Sequence, residues 1–467
     1  MSKNTLALIA EHDAKWVDLR FTDFKGKEQH VSIPAKTVDE EFFENGQMFD
    51  GSSISGWKGI NESDMIMMPQ DDTAIIDPFT EEPTVIVRCN VIEPSTMQGY
   101  DRDPRSVAIR AEEFLKSTGL GDTAFFGPEP EFFIFDDVRY ASTANESFYS
   151  VDSVEGIWNT GREEFPNQGY KPRHKEGYFP CAPTDSHVDL RNEMVEVLQS
   201  VGMTIEAVHH EVATGGQNEI DMRFDSLLAM GDTLQWFKYI VKNVAFANGK
   251  TVTFMPKPIF GINGSGMHTH LSLFKDGKNI FYNPDGKYEL SKEALYFMGG
   301  LLKHAKGFTA ITNPLVNSYK RLTPGYEAPV YIAWSERNRS PLIRVPAARG
   351  EGARAELRSP DPSCNPYLAF AVMLKTGIDG IKNKIDPGEP VSQNIYTMSK
   401  EEKKSLGIEN LPSTLNEALL ELDKDEVVKS ALTDHILRNY IEAKREEWEN
   451  YRIRVHQWEL DRYLTVY

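Results

Sequence analysis

Residues 125–135 read Phe-Phe-Gly-Pro-Glu-Pro-Glu-Phe-Phe-Ile-Phe, an aromatic segment that carries two carboxylates. Because a β-strand projects alternate side chains to one face, Glu129 and Glu131 lie side by side on such a strand. Two like charges among Phe side chains are costly unless a cation neutralises them. The segment therefore predicts a buried strand with a cation site. The alternative is a solvent-facing acidic pair on an edge strand.

Two further segments place carboxylates and imidazoles at short spacing. In residues 209–220, Glu211 and Glu219 flank a Gly-Gly turn that could fold both onto one site. In residues 264–272, alternation puts His268, His270 and Ser272 on one face of a strand and apolar residues on the other. A single His on such a face is more often structural than a ligand, but the carboxylate clusters elsewhere favour a ligand here.

A fourth segment, residues 353–358, alternates Arg354, Glu356 and Arg358 with Ala and Leu. Several strands of this kind, curved around a common space, would make a cavity lined by acidic and basic side chains. Carboxylate ligands with a single imidazole suit hard, octahedral cations. The sequence therefore favours Mg²⁺ or Mn²⁺ over zinc.

Three arginines lie between these segments: Arg321, Arg339 and Arg344. Their planar guanidinium groups can hold carboxylate or phosphate oxygens through paired hydrogen bonds. Metal ions and arginine clamps are what phosphoryl transfer requires, because the protein does little covalent chemistry in that reaction. Solvated surface arginines are the alternative. The sequence has no Walker A loop and no dinucleotide-binding Gly motif.

Acidic residues outnumber basic ones, with 70 Asp and Glu against 51 Lys and Arg and a formal net charge of −19. This balance argues against nucleic acid or an anionic membrane as a partner. No run approaches the roughly 18 apolar residues of a membrane span, and the N-terminal apolar stretch is too short for a secretory signal. We expect a cytoplasmic protein whose three cysteines are reduced thiols.

The chain length and patterning predict two domains. Short alternating runs at 16–21 and 29–33, joined by a turn at 25–27, indicate a small sheet-rich domain over 1–103. Strands that alternate with long helical patterns, such as 185–201 and 226–247, indicate an α+β domain over 104–467. Residues 137–180 are interpreted as a loop or flap-like insertion, and about 411–467 as a helical tail.

Together with the segments above, three other motifs carry a family resemblance. They are Phe-Asp-Gly-Ser-Ser at 49–53, Glu-Gly-Tyr-Phe-Pro at 176–180 and Asp-Pro-Ser-Cys-Asn-Pro-Tyr at 361–367. Over its whole length the sequence resembles the bacterial type I glutamine synthetases. The resemblance implies a β-grasp-like N-terminal domain and a catalytic domain whose curved antiparallel sheet lines a funnel. It also implies two or three Mg²⁺ or Mn²⁺ ions and ligation of ammonium to the γ-carboxylate of glutamate, with ATP as co-substrate and γ-glutamyl phosphate as intermediate.

The same resemblance assigns roles to individual residues. The metal ligands would be Glu131, Glu211 and Glu219 for one ion and Glu129, His268 and Glu356 for another. Glutamate and ammonium would be held by Ser53, Tyr178, Asn263, Gly264 and Arg321. The nucleotide would be bound by Glu206, Phe224, His270, Ser272, Arg339, Arg344 and Arg354. The catalytic residues would be Asp50, Glu327, Arg339 and Arg358.

The resemblance further implies a homo-oligomer, a dodecamer of two hexameric rings, in which Asp50 and Ser53 serve the neighbouring subunit's site. Two positions depart from the pattern. Glu351 stands where many relatives carry a basic residue near the phosphates. Tyr396 aligns with a tyrosine that one subgroup adenylylates, but its flanking residues differ, and we expect little modification.

Two other functions stay open from the sequence. One is a γ-glutamyl-amine ligase of the same superfamily that acts on a polyamine or another amine. The intact Asp50 motif and Glu327 segment suit the smaller ammonium ion instead. The other is a catalytically inactive structural paralogue, a class that usually loses metal ligands, whereas none is missing here.

Overall fold

The computed structural model describes residues 3–54, 63–163, 167–336 and 338–467. The strands, in chain order, are β1 Trp16–Thr22, β2 Glu28–Pro34, β3 Gln47–Asp50, β4 Asp64–Pro69, β5 Ile75–Ile76, β6 Thr84–Glu93, β7 Gln98–Gly99, β8 Thr123–Phe135, β9 Asp137–Ser142, β10 Ser147–Asp152, β11 Ile205–His210, β12 Gln217–Met222, β13 Asp225–Ser226, β14 Thr251–Thr253, β15 Met267–Lys275, β16 Lys278–Asn279, β17 Tyr331–Ser335, β18 Pro341–Arg344, β19 Ala355–Leu357 and β20 Glu409–Asn410.

The α-helices alternate with these strands and dominate the C-terminal part of the chain. They are α1 Lys3–Glu11, α2 Phe42–Asn45, α3 Pro104–Thr118, α4 Val188–Ser200, α5 Leu227–Ala247, α6 Lys292–Lys303, α7 Ala305–Thr312, α8 Ser318–Arg321, α9 Pro366–Asn383, α10 Lys400–Ser405, α11 Leu415–Lys424, α12 Glu426–Lys429, α13 Asp434–Arg452 and α14 Gln457–Tyr463. Within these ranges, no helix is both long and apolar enough to cross a membrane.

The N-terminal sheet has the order β2-β1-β6-β4-β3. Strands β1 and β2 form the predicted hairpin, and Gly26 in its turn has a φ of +88°, a conformation that glycine adopts without a steric penalty. Strand β1 pairs in parallel with β6, whereas the other neighbours in this order pair antiparallel. This mixed sheet agrees with the expected β-grasp-like domain.

The large sheet has the order β11-β12-β8-β15-β19-β18-β17-β20. Its pairs are antiparallel except β17 and β18, which run in parallel, so it departs at one edge from the antiparallel sheet expected. Strand β8 lies inside the sheet, between β12 and β15. The α+β fold class predicted from the sequence is confirmed.

Aromatic packing behind β8 decides which way its carboxylates face. Phe126 stacks on Phe370 of α9 with ring centroids 4.7 Å apart, and Phe132 meets Phe237 of α5 at 6.2 Å. Burying one Phe side chain stabilises a fold by roughly 1.5–3 kcal/mol. Because the even-numbered Phe side chains pack against the helices, the odd-numbered Glu side chains of β8 point to the other face.

Two predictions from sequence periodicity can be compared with the elements observed. The helices expected at 185–201 and 226–247 are present as α4 and α5, with Val188 as the first residue of α4. The insertion at 137–180, interpreted as a loop, instead begins with a hairpin of β9 and β10. Residues 143–146 form the turn between those strands, closed by the Thr143 N–H, which donates to the Glu146 carbonyl at 2.8 Å.

Candidate active site

A cavity of about 690 Å³ opens on the carboxylate face of the large sheet. Most of the side chains predicted for the site meet there, although they come from distant parts of the sequence. The predicted residues that line it are Glu129, Glu131, Tyr178, Glu211, Glu219, Asn263, Gly264, His268, Arg321, Glu327, Arg339, Arg344, Glu356 and Arg358. We refer to this cavity as the funnel.

On one side of the funnel, Glu129, His268 and Glu356 form a compact group in which one ligand atom from each lies within 4.8 Å of the others. The Nδ1 atom of His268 is 3.5 Å from Glu129 Oε2 and 3.8 Å from Glu356 Oε1. Burial favours the neutral form of Glu356, but the neighbouring histidines and arginines outweigh it and lower the pKa of this carboxyl. Two carboxylates and one imidazole at this spacing fit a divalent cation.

The other predicted ligand set, Glu131, Glu211 and Glu219, lies across β8, β12 and the turn before β12. Glu131 and Glu219 are direct cross-strand partners. Burial and then the charge of Glu131 raise the pKa of Glu211 to about 9, and the same two causes raise the pKa of Glu219. Buried like charges that suppress each other's ionisation are what a cation would relieve, so these residues also fit a metal ion.

This second set is less compact than the first. Glu131 Oε2 already accepts hydrogen bonds from Gln217 Nε2 at 2.9 Å and from the Gly266 N–H at 2.8 Å. Among the described residues, the compact group on this side is instead His209, Glu219 and Asp221.

His209 and Asp221 were not among the residues predicted from the sequence. His209 is the cross-strand partner of Glu219, and its Nε2 lies 3.5 Å from Glu219 Oε1. Asp221 follows Glu219 by two positions on β12 and therefore shares its face. The alternation rule used for β8 would have found Asp221 if it had been extended along β12.

The raised pKa of Glu211 leads to a prediction about metal uptake. At pH 7 the metal-free carboxyl holds a proton that must leave before a cation binds, so Mg²⁺ binding should release protons. Because the folded-state pKa exceeds the unfolded one, the metal-free fold loses stability as pH rises from about 4.5 toward 9. Calorimetry in buffers of different ionisation enthalpy measures the released protons. Glu211→Gln is the control that should release fewer, and equal release by both proteins would contradict this assignment.

A second cavity of about 320 Å³ adjoins the funnel and shares Glu129 with it. The remaining residues predicted to bind nucleotide line this second cavity: Glu206, Phe224, His270, Ser272 and Arg354. Arg354 Nε donates to His270 Nδ1 at 3.1 Å, and His270 Nε2 lies 2.8 Å from Glu129 Oε1. This chain of contacts couples the second cavity to the compact metal group.

Glu351 also lines the second cavity, but its carboxylate has a protein partner. Its Oε2 accepts a hydrogen bond from the backbone N–H of Asn279 at 3.3 Å, while the Asn279 side chain donates to the Glu351 carbonyl at 2.9 Å. The acidic side chain is thus tied to the neighbouring β16.

The arginines of the funnel are held by short-range partners that orient them. Arg321 donates to the carbonyls of Ser359 at 2.6 Å and Arg358 at 3.2 Å. Arg344 and Arg358 both pair with the buried carboxylate of Glu356. The guanidinium groups of Arg344 and Arg358 are therefore fixed by Glu356, a member of the compact metal group, whereas Arg321 is held by backbone carbonyls.

Three further funnel residues have features that suit a small polar ligand. The Asn263 side-chain oxygen is buried and has no hydrogen-bond partner among the residues that the structure describes. A Cβ atom on Gly264 would lie 2.3 Å from the Pro256 carbonyl oxygen, so only glycine fits there. Tyr178 is 45% exposed at the mouth, where its ring stacks on Phe179 at 4.0 Å.

Asp50 and Ser53 are the predicted residues that line neither cavity. They lie on an exposed turn where the Asp50 carboxylate accepts hydrogen bonds from the Ser52 N–H at 2.9 Å and the Ser53 hydroxyl at 3.0 Å. Hydrogen bonds from Ser52 and then Ser53 lower the pKa of Asp50. In a single chain this carboxylate is a weak base in contact with solvent, outside both cavities.

Comparisons with known proteins agree with this geometry. Residues 13–94 match the glutamine synthetase β-grasp domain, and residues 101–463 match the glutamine synthetase catalytic domain. The chain is 56% identical to the glutamine synthetase of Azotobacter vinelandii and 53% identical to that of Escherichia coli K12, with both chains of each pair fully covered. The structure of Plasmodium falciparum glutamine synthetase superposes with a TM-score of 0.89 at 28% identity, covering 98% of each chain. The chain therefore belongs to the glutamine synthetase family.

Proposed function

We propose that the funnel joins ammonium to the γ-carboxylate of glutamate in a reaction driven by ATP. The observation that carries this proposal is the full-length identity of 53–56% to bacterial glutamine synthetases. It is supported by a funnel lined with carboxylate, imidazole and arginine side chains of the expected kinds. In the first step the γ-phosphoryl group moves from ATP to a γ-carboxylate oxygen, giving ADP and γ-glutamyl phosphate. Ammonia then attacks the carbonyl carbon, and phosphate leaves with the former carboxylate oxygen.

Two groups of side chains would hold Mg²⁺ or Mn²⁺, two or three ions per chain. The compact group of Glu129, His268 and Glu356 takes one ion, and Glu131, Glu211 and Glu219 take another. Ions bound there would neutralise charge on the transferred phosphoryl group. The cross-strand register of β8 with β12 and β15 fixes the two ligand groups relative to each other.

The arginines would bind the phosphate groups of the nucleotide, and the second cavity would bind its nucleoside. Arg339, Arg344 and Arg354 would contact the nucleotide phosphates, and Arg339 and Arg358 would be the catalytic arginines. Glu206, Phe224, His270 and Ser272 surround the space for the base and ribose. The contact between His270 and Glu129 would couple nucleotide binding to the metal ligands.

Glutamate and ammonium would bind in the funnel itself. Glutamate would be held by Arg321, Asn263, Gly264 and Arg358. The Asn263 side-chain oxygen, which has no partner among the described residues, would accept a hydrogen bond from it. Tyr178 and Glu211, with Asp50 of a neighbouring chain, would form the ammonium pocket, and Ser53 would contact substrate beside Asp50. A neighbour that covers Asp50 would remove it from water and make it a better proton acceptor. Glu327 would shield the acyl phosphate from water.

We propose a ring assembly, because a site completed by Asp50 of a neighbour cannot exist in a monomer and heterologous contacts that close generate rings. The resemblance to the type I glutamine synthetases makes this assembly a dodecamer of two hexameric rings. The C-terminal segment supports further contacts, since Trp458, Leu464 and Tyr467 are exposed apolar side chains.

Light scattering tests the assembly. Twelve chains of 52.9 kDa should give roughly 635 kDa. Asp50→Ala chains should recover activity in mixed rings with chains that keep Asp50 but are inactivated in the funnel. Some sites in such rings combine an intact funnel from one chain with Asp50 from its neighbour. An active monomer or dimer, or no recovery on mixing, would contradict the shared site.

The division of the chain and its location are parts of the same proposal. We propose an N-terminal domain over 1–103 and a catalytic domain over 104–467, with a flap-like insertion at about 137–180 and a helical tail at about 411–467. The Asp103 carboxylate caps α3 by accepting from the N–H groups of Arg105 and Ser106, which supports a boundary there. We also propose that the protein is cytoplasmic.

The choice of nucleophile separates this function from a γ-glutamyl-amine ligase. Purified protein with ATP, Mg²⁺ and glutamate should release phosphate rapidly only when ammonium is added, and the product should be glutamine. Methylamine, ethylamine and putrescine should give much lower kcat/KM. The reason is that the proposed ammonium pocket is formed by acidic side chains that suit a small cation. A larger amine preferred over ammonium would overturn the proposal, and release with no nucleophile would indicate an unshielded intermediate.

A further inference from the structure

The loop of residues 323–329, between α8 and β17, carries Glu327 to the mouth of the funnel; we refer to it as the Glu327 loop. Glu327 is exposed, and among the described residues no hydrogen-bond partner holds its carboxylate. Its φ is +61°, in the left-handed region that disfavours residues other than glycine. Such a conformation persists only where surrounding contacts determine it. The position of this carboxylate therefore depends on whatever holds the loop backbone.

Two side chains from outside the loop hold its backbone carbonyls. The Tyr396 hydroxyl donates to the Ala328 carbonyl at 2.8 Å, one residue after Glu327. The Lys175 ammonium group, from the insertion, donates to the Gly325 carbonyl at 2.8 Å. Of these two, Tyr396 is the more shielded anchor, because it is half-buried whereas Lys175 is exposed. Burial raises the pKa of Tyr396 to about 12, so its hydroxyl remains a hydrogen-bond donor at neutral pH.

Tyr396 is itself fixed by the segment that contains Arg339. Its turn, Ile395–Thr397, is tied by the Ile395 N–H, which donates to the Ser340 hydroxyl at 3.2 Å. The Asn338 side-chain amide donates to the Gln393 carbonyl at 2.5 Å. The residues on either side of Arg339 thus brace the turn that carries Tyr396. The Glu327 loop and the Arg339 segment are consequently connected through one phenol hydroxyl.

We propose that Tyr396 is a positioning residue that sets Glu327 over the reacting atoms by anchoring the Ala328 carbonyl to the turn braced by the Arg339 segment. The inference rests on the proposed function, in which Glu327 shields the acyl phosphate from water. Tyr396 does not touch substrate in this account and acts through Glu327. Loss of the anchor should therefore affect the fate of the intermediate more than the binding of ATP or glutamate.

Tyr396→Phe removes the hydroxyl and keeps the ring. The anchored loop should open more often by about fivefold, the population change that one hydrogen bond of about 1 kcal/mol supports. The backbone amides of residues 325–328 and 330 should exchange with deuterium faster. Phosphate should also be released in excess of glutamine as water reaches the intermediate. The KM values for ATP and glutamate should stay within about twofold of the wild-type values. The contact between Tyr396 and Ala328 takes no part in binding either substrate.

Tyr331→Phe is the matched control. Its ring lies 5.8 Å from the Tyr396 ring, but its hydroxyl accepts from the Lys403 side chain and not from the loop. This variant should keep wild-type exchange and a wild-type ratio of phosphate to glutamine. If Tyr396→Phe behaves like Tyr331→Phe in either measurement, the proposal is wrong.

A double-mutant cycle separates action through Glu327 from any other role. In a Glu327→Ala background, Tyr396→Phe should cause no further change in the phosphate-to-glutamine ratio, since the carboxylate that it positions is absent. A further change would overturn the proposal. If the wild-type protein makes no glutamine, the proposed function fails while the exchange experiment still decides the anchor. Faster exchange in Tyr396→Phe than in Tyr331→Phe would then support it, and equal exchange would reject it.

Discussion

Glu129→Ala should weaken Mg²⁺ and nucleotide binding together and abolish most glutamine synthesis. The carboxylate belongs to the compact metal group with His268 and Glu356, and it also accepts a hydrogen bond from His270, which lines the second cavity. Removing an outer-shell partner of a metal ligand costs about 10- to 100-fold in affinity, so loss of a direct ligand should cost about 100-fold or more. Calorimetric titration of Mg²⁺, and of ADP with and without Mg²⁺, measures both effects.

Glu129→Gln is the matched variant, because it keeps an acceptor for His270 and removes only the charge. It should lose Mg²⁺ affinity as Glu129→Ala does, yet keep the metal-independent part of ADP binding. Circular dichroism and thermal melting should show that both variants are folded. Undiminished Mg²⁺ binding by either variant would contradict the assignment of Glu129 as a ligand.

Glu327→Ala should keep metal and nucleotide affinity within about twofold while kcat for glutamine formation falls about 100-fold or more, the size of effect seen when one preorganised electrostatic group is removed. The side chain is exposed and unpaired in the described structure, so its loss should not disturb the fold. It lies near Glu211, whose pKa it helps to raise, which places its charge toward the expected ammonium pocket. Steady-state kinetics combined with ADP and Mg²⁺ titrations measure this division.

Glu327→Gly provides the control for backbone strain. The left-handed φ of +61° suits glycine better than alanine, so the two variants differ in backbone preference but both lack the carboxylate. They should be equally impaired in glutamine formation. Recovery of activity in Glu327→Gly would show that loop conformation and not charge is what the reaction needs. Metal binding as weak as in Glu129→Ala would also contradict the division of roles.

The sequence predicted β8 well because aromatic residues and alternation act together there. Phe126 and Phe132 pack against helices on one face of β8, so Glu129 and Glu131 face the other way, and both line the funnel. Alternation also placed His268 and His270 on one face of β15. Alternation could not reveal that the two histidines line different cavities. His268 lines the funnel, whereas His270 lines the second cavity.

Other features depend on contacts between distant segments and could not be predicted from periodicity. The hairpin of β9 and β10 is rich in Ser and exposed aromatic residues, so its composition resembled that of a loop. The parallel pairing of β17 with β18 is set by the chain path between them. The anchor from Tyr396 to Ala328 spans 68 positions and has no local signal.

Transfer of oxygen from glutamate to phosphate tests the central claim, that the funnel activates the γ-carboxylate as an acyl phosphate. The protein is incubated with ATP, Mg²⁺, ammonium and glutamate that carries ¹⁸O in both γ-carboxylate oxygens, and the phosphate is examined by mass spectrometry. If γ-glutamyl phosphate forms, one labelled oxygen leaves with each phosphate and the other remains in the glutamine amide. Phosphate that contains no ¹⁸O while glutamine accumulates would contradict the account.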